Sequence, residues 1–195
     1  MSFKPGPNYA LNDSFLRARL CGTIARRGVR LVVETGLNDG QSTVEFSRMA
    51  PKVIGVDWDP ECINETARKM QAAGRENYEL LCMSSPDAIR TIVANYFGGF
   101  PHTLFFLDAH WDGPSPVLRE IREIPKGKGI IVFHDIKVPG KDFGYDKVEL
   151  TDGTEVDLDY NFLQDELTAW SPTHRVEYMQ QSDGCYRGAA IVYPS

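Results

Sequence analysis

Apolar residues fall in short runs along the chain: Leu31–Val33, Val53–Val56, Leu80–Cys82, Leu104–Leu107 and Ile130–Phe133. Each run has strand length and is nearly unbroken, which predicts strands buried on both faces. Stretches with helical spacing lie between them. Asp13–Arg27 places Phe15, Leu16, Leu20 and Ile24 on one face and stops at Gly28. Glu61–Ala73 is the clearest helix. Asp59 stands at its capping position, Pro60 at its first turn and Gly74 past its end, and Ile63, Ala67 and Met70 form an inward stripe. Asp87–Tyr96 and Val117–Ile124 follow. Five strand–helix repeats predict an α/β fold, a parallel, doubly wound sheet with right-handed crossovers. The C-terminal third differs. Lys147–Leu158 alternates apolar and polar residues around Asp152-Gly153, the pattern of a hairpin. Phe162–Trp170 reads as a short helix, and Arg175–Met179 and Ala189–Tyr193 as two final strands joined through Ser182-Asp183-Gly184.

Composition narrows the picture. At 195 residues, 42% hydrophobic and 25% charged, the chain suits one domain over residues 1–195 with an ordinary core. A net charge of −6 argues against holding nucleic acid mainly through its phosphates. No apolar run approaches membrane-spanning length, and the opening MSFKPGPNYALNDS lacks a signal-peptide core, so cytoplasmic residence without a membrane partner is expected. Cys21, Cys62, Cys82 and Cys185 form no CxxC pair and read as small buried apolar residues. A homo-oligomer is left open.

In open α/β sheets ligands bind beyond the carboxyl ends of the strands. Here those ends carry Glu34-Thr35-Gly36 and Gly40, then Asp57, then Ser84-Ser85, then Asp108, His110, Trp111 and Asp112, then His134-Asp135. The turn Gly36-x-x-x-Gly40 lacks the third glycine of a dinucleotide fingerprint, and no Gly-Lys-Ser/Thr follows it. A carboxylate just before the turn would repel a phosphate and suits a cationic or donor-rich ligand. Asp57 stands where such folds receive ribose hydroxyls, and a carboxylate accepts two hydrogen bonds from a diol. Each residue also has a plainer reading. Glu34 could be satisfied by local backbone N–H groups, His110 and His134 could be structural, Asp59 is a helix cap, and Arg26 and Arg27 favour their helix C-terminus.

The acid–glycine turn after the first strand and the acid after the second resemble the class I S-adenosylmethionine-dependent methyltransferases, over roughly Val29 to Tyr193. FFLDAHWDGP (Phe105–Pro114) and IIVFHDIKVPGKDFGYD (Ile130–Asp146) resemble the metal-dependent small-molecule O-methyltransferases of the catechol type and the bacterial sugar O-methyltransferase and cephalosporin-hydroxylase-like group. The resemblance implies a Rossmann-like methyltransferase fold of seven strands with an antiparallel last strand and a lid, drawn from residues 1–28 and 137–160. It implies S-adenosylmethionine contacts at Glu34, Thr35, Gly36, Gly40, Ser42, Asp57, Trp58, Ser84 and Asp108, with Glu34 facing the cationic methionine end, Asp57 the ribose and Ser84 the adenine. It implies a divalent metal on Asp108, His134 and Asp135 and catalytic roles for His110, His134 and Asp135. Magnesium or manganese is expected; the histidine, in place of an oxygen ligand, also admits iron, cobalt and zinc. The family's general-base lysine is absent. The expected reaction is methyl transfer to a hydroxyl of a small-molecule acceptor. A metal-dependent oxygenase or hydrolase using His110, His134 and one carboxylate, or a non-catalytic binding protein, are the alternatives.

Overall fold

The computed structural model describes residues 9–96, 102–109, 115–150 and 152–195. Strands β1 (Leu31–Thr35), β2 (Lys52–Asp57), β3 (Tyr78–Cys82), β4 (Thr103–Leu107) and β5 (Ile130–His134) pair in parallel. β6 (Lys147–Glu149) and β7 (Glu155–Asp157) form a separate hairpin, as the alternation around Asp152-Gly153 predicts. β9 (Ala189–Tyr193) inserts antiparallel between β5 and β8 (Arg175–Tyr178), giving the sheet order β3-β2-β1-β4-β5-β9-β8. This is a Rossmann-like, mostly parallel seven-stranded sheet. The strand order reverses between β1 and β4, which makes the crevice above those two strands the natural ligand site.

The central strands β1, β4, β5 and β9 are buried at every position, and the edges β3 and β8 are not. For the central strands this is the burial expected of unbroken apolar runs between two helical layers; β3, whose run Leu80–Cys82 predicted the same, is only half-buried because it stands at the sheet edge. On one face Val32, Leu104, Phe106, Val132 and Ile191 pack with Leu16, Leu20 and Ile24 of α1 (Ser14–Arg27) and Phe46 of α2 (Gln41–Met49). On the other, Val33, Ile54, Phe105, Ile131 and Val192 pack with Ile89 and Ile92 of α4 (Ser85–Tyr96), Ile121 of α5 (Val117–Glu123) and Leu163 and Leu167 of α6 (Tyr160–Trp170). α3 (Pro60–Ala72) starts on the Asp59 carboxylate, which accepts from Glu61 N–H at 2.8 Å. No helix among the described residues is long and apolar enough to cross a membrane.

Three expectations are corrected. Phe15 is 41% exposed, because the face of α1 that meets the sheet runs through Leu16, Leu20 and Ile24 and leaves its neighbour outside. In α3 the buried residues are Thr66 and Met70, and Ile63 and Ala67 are only half-buried, because the helix leans on Gly40 at the start of α2 through Thr66. None of the cysteines is buried: Cys21 and Cys82 are exposed, and Cys62 and Cys185 are partly so.

Lys137–Tyr160, expected as a lid, is tied down at several points. Lys137 N–H donates to Leu158 C=O, Asp146 N–H to Asp135 C=O, and Leu158 N–H to Asp146 C=O. Val148 and Leu158 belong to the core. The amides of Lys137, Asp146 and Leu158 are therefore expected to resist hydrogen exchange already without ligand, with less protection around the Asp152-Gly153 turn. Full exchange of all three within seconds would identify the segment as a mobile cover instead. On the N-terminal side, α1 is part of the core, and Tyr9 and Ala10 are the described residues of 1–28 that reach the site.

Candidate functional site

A cleft of about 540 Å3 opens beyond the carboxyl ends of β1, β2, β4 and β5. Side chains within a strand point at the two helical layers, so only residues at or past a strand's last ladder pair can reach this rim. Gly36, Ser42, Asp57, Trp58, Asp108, His134 and Asp135 line it. Glu34, Thr35, Gly40 and Ser84 do not. Thr35 instead accepts from Asp108 N–H through its hydroxyl at 3.4 Å. The Ser84 hydroxyl donates to Asp87 at 2.5 Å, at the start of α4. His110, with Trp111 and Asp112, lies outside the described residues.

Two glycines make the turn for packing reasons. Gly36 has φ +76°, and a Cβ there would lie 2.2 Å from the Asp108 carbonyl oxygen. Gly40 has φ +75°, and its Cβ would lie 2.5 Å from the Thr66 hydroxyl. Both positions reject side chains on conformation and on space, which explains a glycine turn that is not a phosphate cradle. Asp57 clamps this turn: its Oδ2 accepts from Leu37 N–H and its Oδ1 from Asp59 N–H, both at 2.9 Å. Each oxygen keeps a second lone pair.

Glu34 lies one layer beneath the cleft. It is 1% exposed, and its Oε2 has no hydrogen-bond partner among the described residues. Burial raises its pKa from an ordinary 4.5 to about 8; the Thr43 hydroxyl pulls the other way, and the charges of Asp108 and Asp39 add to the rise. Without a cation nearby this carboxyl is held neutral at pH 7.

The acid–histidine group is tight. His134 Nδ1 lies 3.0 Å from Asp108 Oδ1 and 3.1 Å from Asp135 Oδ1, and its Nε2 faces the Cys185 thiol at 3.8 Å. Burial alone would lower the His134 pKa; the charge of Asp108 and hydrogen bonds to Asp108, Asp135 and Cys185 overcome it and hold it well above the ordinary 6.5. Asp135 sits in the left-handed region at φ +61°, at a cost of about 1 kcal/mol for a non-glycine residue. That twist turns its carboxylate back to the rim, where Arg187 binds it through Nε while binding Asp146 through Nη2.

Asp39, Asp146 and Arg187 also line the cleft and were not singled out from sequence, and Asp59 and Cys185, read there as a helix cap and a buried apolar residue, line it too. Arg187 and Cys185 arrive on the loop before β9, whose place beside β5 the sequence pattern does not reveal. Six carboxylates line the cleft, those of Asp39, Asp57, Asp59, Asp108, Asp135 and Asp146, against Arg187 and His134, with Lys69 pairing Asp39 at 2.7 Å from outside the lining. A cleft this acidic favours a ligand of positive charge and opposes a pyrophosphate.

Asp108, His134 and Asp135 can each offer a ligand atom to one cation, all within 4.8 Å of one another. Their N–O separations near 3 Å are those of hydrogen bonds and also of neighbouring donors in a six-coordinate shell with bonds of about 2.1 Å, so the donor set is compatible with a divalent metal. Asp135 would share it with Arg187.

No family model matches the chain, and no curated protein matches it by sequence. Solved structures do. The chain resembles the O-methyltransferase of Bacillus cereus in complex with SAH at 16% identity, covering 97% of this chain and 84% of that one, with a TM-score of 0.64. A protein of Klebsiella pneumoniae described as a candidate O-methyltransferase is similar at 18% identity over 98% and 83%, also at 0.64. The precorrin 8W decarboxylase of Methanobacterium thermoautotrophicum is similar at 17% identity over 98% and 93%, with a TM-score of 0.58. At these identities the likeness carries the fold, the class I methyltransferase fold, and that fold also hosts other chemistry.

Proposed function

We propose that this chain, with its class I methyltransferase fold, transfers the methyl group of S-adenosylmethionine to a hydroxyl of a small-molecule acceptor. The observation that carries the reading is the pairing of a strongly acidic cleft with a buried Glu34, one of whose oxygens has no partner among the described residues, beneath a glycine turn. S-adenosylmethionine brings an ammonium and a sulfonium, and this is the charge such a site is short of. Dinucleotides bring two phosphates and are opposed. The SAH complex of the Bacillus cereus neighbour supports the choice.

In this reading the Asp57 carboxylate accepts from the ribose diol while it keeps the turn clamped. Glu34, buried beneath the turn, acts on the cationic end through space, by the charge it takes up when the ligand arrives. Asp108, His134 and Asp135 hold the acceptor side of the cleft. A divalent metal bound by these three would lower the acceptor hydroxyl's pKa and fix its orientation. The chain's own contribution is alignment, since the attacking oxygen and the methyl carbon must stand about 3 Å apart and in line with the sulfur. Arg187 keeps Asp135 and Asp146 from repelling each other.

Calorimetric titration with S-adenosylmethionine, SAH and NAD tests the reading. Micromolar or tighter binding of the first two and none of NAD is expected. Asp57→Ala should weaken both by about 1.5–3 kcal/mol, the range for hydrogen bonds to a charged group, and should also loosen the turn that it clamps. Equal affinity of wild type and variant would remove the ribose role. A preference for NAD would overturn the methyltransferase reading.

A further inference from the structure

A second concave site lies at the opposite rim of the sheet, where β4 and β5 begin and where β9 and α1 end. It is a groove of about 360 Å3, lined by Arg26, Arg27, His102, Lys128 and Tyr193 among others. Among the described residues no carboxylate side chain lines it. In a chain with 27 acidic and 21 basic residues, this is an uneven distribution of charge. Arg26, Arg27 and Lys128 have no carboxylate within 4 Å among the described residues, whereas most other cations of the chain are paired.

A plainer role exists for two of these groups. Arg26 and Arg27 stand in the last turn of α1 and complement its carbonyls. That role accounts for neither Lys128, which comes from the turn before β5, nor His102, which comes from the start of β4. It also does not account for the way Arg27 is held. Its guanidinium lies over the Tyr193 ring at 5.2 Å from the centroid, and Arg175 lies 4.6 Å from the same centroid. The Tyr193 ring is fixed, 5% exposed, with its hydroxyl 3.4 Å from that of Thr23. A cation–π contact with a ring face uses none of the guanidinium's N–H donors as hydrogen bonds. The arginine is thus positioned before any ligand arrives, and a positioned fork matches the oxygens of a phosphate.

We propose that this groove binds a small molecule carrying a diphosphate or similar clustered anionic phosphate. Arg27 would grip it as a fork, and Lys128 and Arg26 would add charge. The volume suits a ligand of nucleotide size. The groove is separated from the cleft by the full length of the strands, so the two sites can be occupied together and tested apart.

The probe is inorganic pyrophosphate, titrated calorimetrically into the whole chain at 50 mM and 150 mM salt. Saturable binding at one site is expected, weaker at the higher salt. Arg27→Gln/Lys128→Gln should lower the affinity at least tenfold, and His102→Gln/Lys128→Gln, which leaves α1 untouched, should lower it in the same direction. SAH binding at the cleft should not change in either variant, which separates a failure here from a failure of the proposed function. No saturable binding up to 1 mM pyrophosphate, or unchanged affinity in both variants, would overturn the proposal. So would an RNA 10-mer that binds the groove tenfold more tightly than pyrophosphate, because the groove would then belong to a nucleic-acid surface.

Discussion

Glutamine in place of Glu34 is expected to stabilise the ligand-free protein at pH 8 and to weaken its binding of S-adenosylmethionine. The sign follows from burial. The folded carboxyl has its pKa raised to about 8 and the unfolded one keeps an ordinary value near 4.5. Between those limits the unfolded state gives up its proton and the folded state keeps it. Stability contributed by this group is therefore whole below pH 4.5 and is lost as pH rises towards 8. At roughly 1.4 kcal/mol per pH unit, the penalty removed by Glu34→Gln approaches a few kcal/mol at pH 8 and vanishes near pH 4.5. A melting temperature higher by several degrees at pH 8 is the expected size for a chain of this length. A cationic ligand reverses the preference, because it draws Glu34 into the charged form. Binding between pH 6 and 8 should then release a proton, and affinity should rise with pH up to about 8. Calorimetry in two buffers of different ionisation enthalpy counts that proton. A glutamine variant that binds as tightly as wild type and releases the same proton would make Glu34 a structural acid with no part in binding.

The second large effect concerns the acid–histidine group. Asp108→Ala is expected to abolish divalent-metal binding, and His134→Ala to weaken manganese more than magnesium, since a nitrogen ligand favours the later metal. His134 must lose its proton to ligate. Its pKa is held well above 6.5 by Asp108 and its neighbours, so metal affinity should rise with pH through neutrality and be low below pH 6. Chelator-treated protein should keep its fold, because the core is built of apolar strands and helices and needs no metal, and should melt lower only by the linkage of the ion it has lost. Manganese titrations of both variants check the ligands. Wild-type affinity in Asp108→Ala would exclude this group as the metal site. Full methyl transfer by the chelated protein would shift the chemistry to His134 as a general base, with Nδ1 oriented by Asp108 and Nε2 turned toward Cys185 in the cleft.

The parallel half of the fold was legible because burial on both faces leaves a plain mark. An unbroken run such as Leu104–Leu107 can be little else than a central strand, and Asp59, Pro60 and Gly74 punctuate α3 by local chemistry alone. The rim was legible for the same reason: Asp57, Asp108 and His134-Asp135 end apolar runs. What the pattern misses is direction and depth. Glu34 ends an apolar run too, yet it stands one layer beneath the cleft rather than in its lining, a depth that the run does not mark. Ser84 follows β3 but is spent on the first turn of α4. Arg187 and Cys185 were invisible because their position depends on β9 entering beside β5, a pairing between residues far apart along the chain, which no local spacing encodes.

The carboxylates of Asp13 and Asp183 bind each other's surroundings across almost the whole sequence. Asp13 Oδ2 accepts from the Ser182 hydroxyl at 2.5 Å and from Asp183 N–H at 3.1 Å, and Asp183 accepts from Ser14 N–H and the Ser14 hydroxyl, both at 2.5 Å. The separation is 169 to 170 residues. Closing a loop of that length costs about 4–5 kcal/mol of chain entropy, of which a short loop would save only a part. The clasp, with the Thr23–Tyr193 and Arg19–Glu177 contacts beside it, fastens the two ends of the described chain together at the base of the loop that delivers Cys185 and Arg187. Asp135 and Asp146 receive their arginine from that loop, 52 and 41 residues further along the chain. The start of α1 therefore acts as a remote anchor for the cation that balances the acidic cleft.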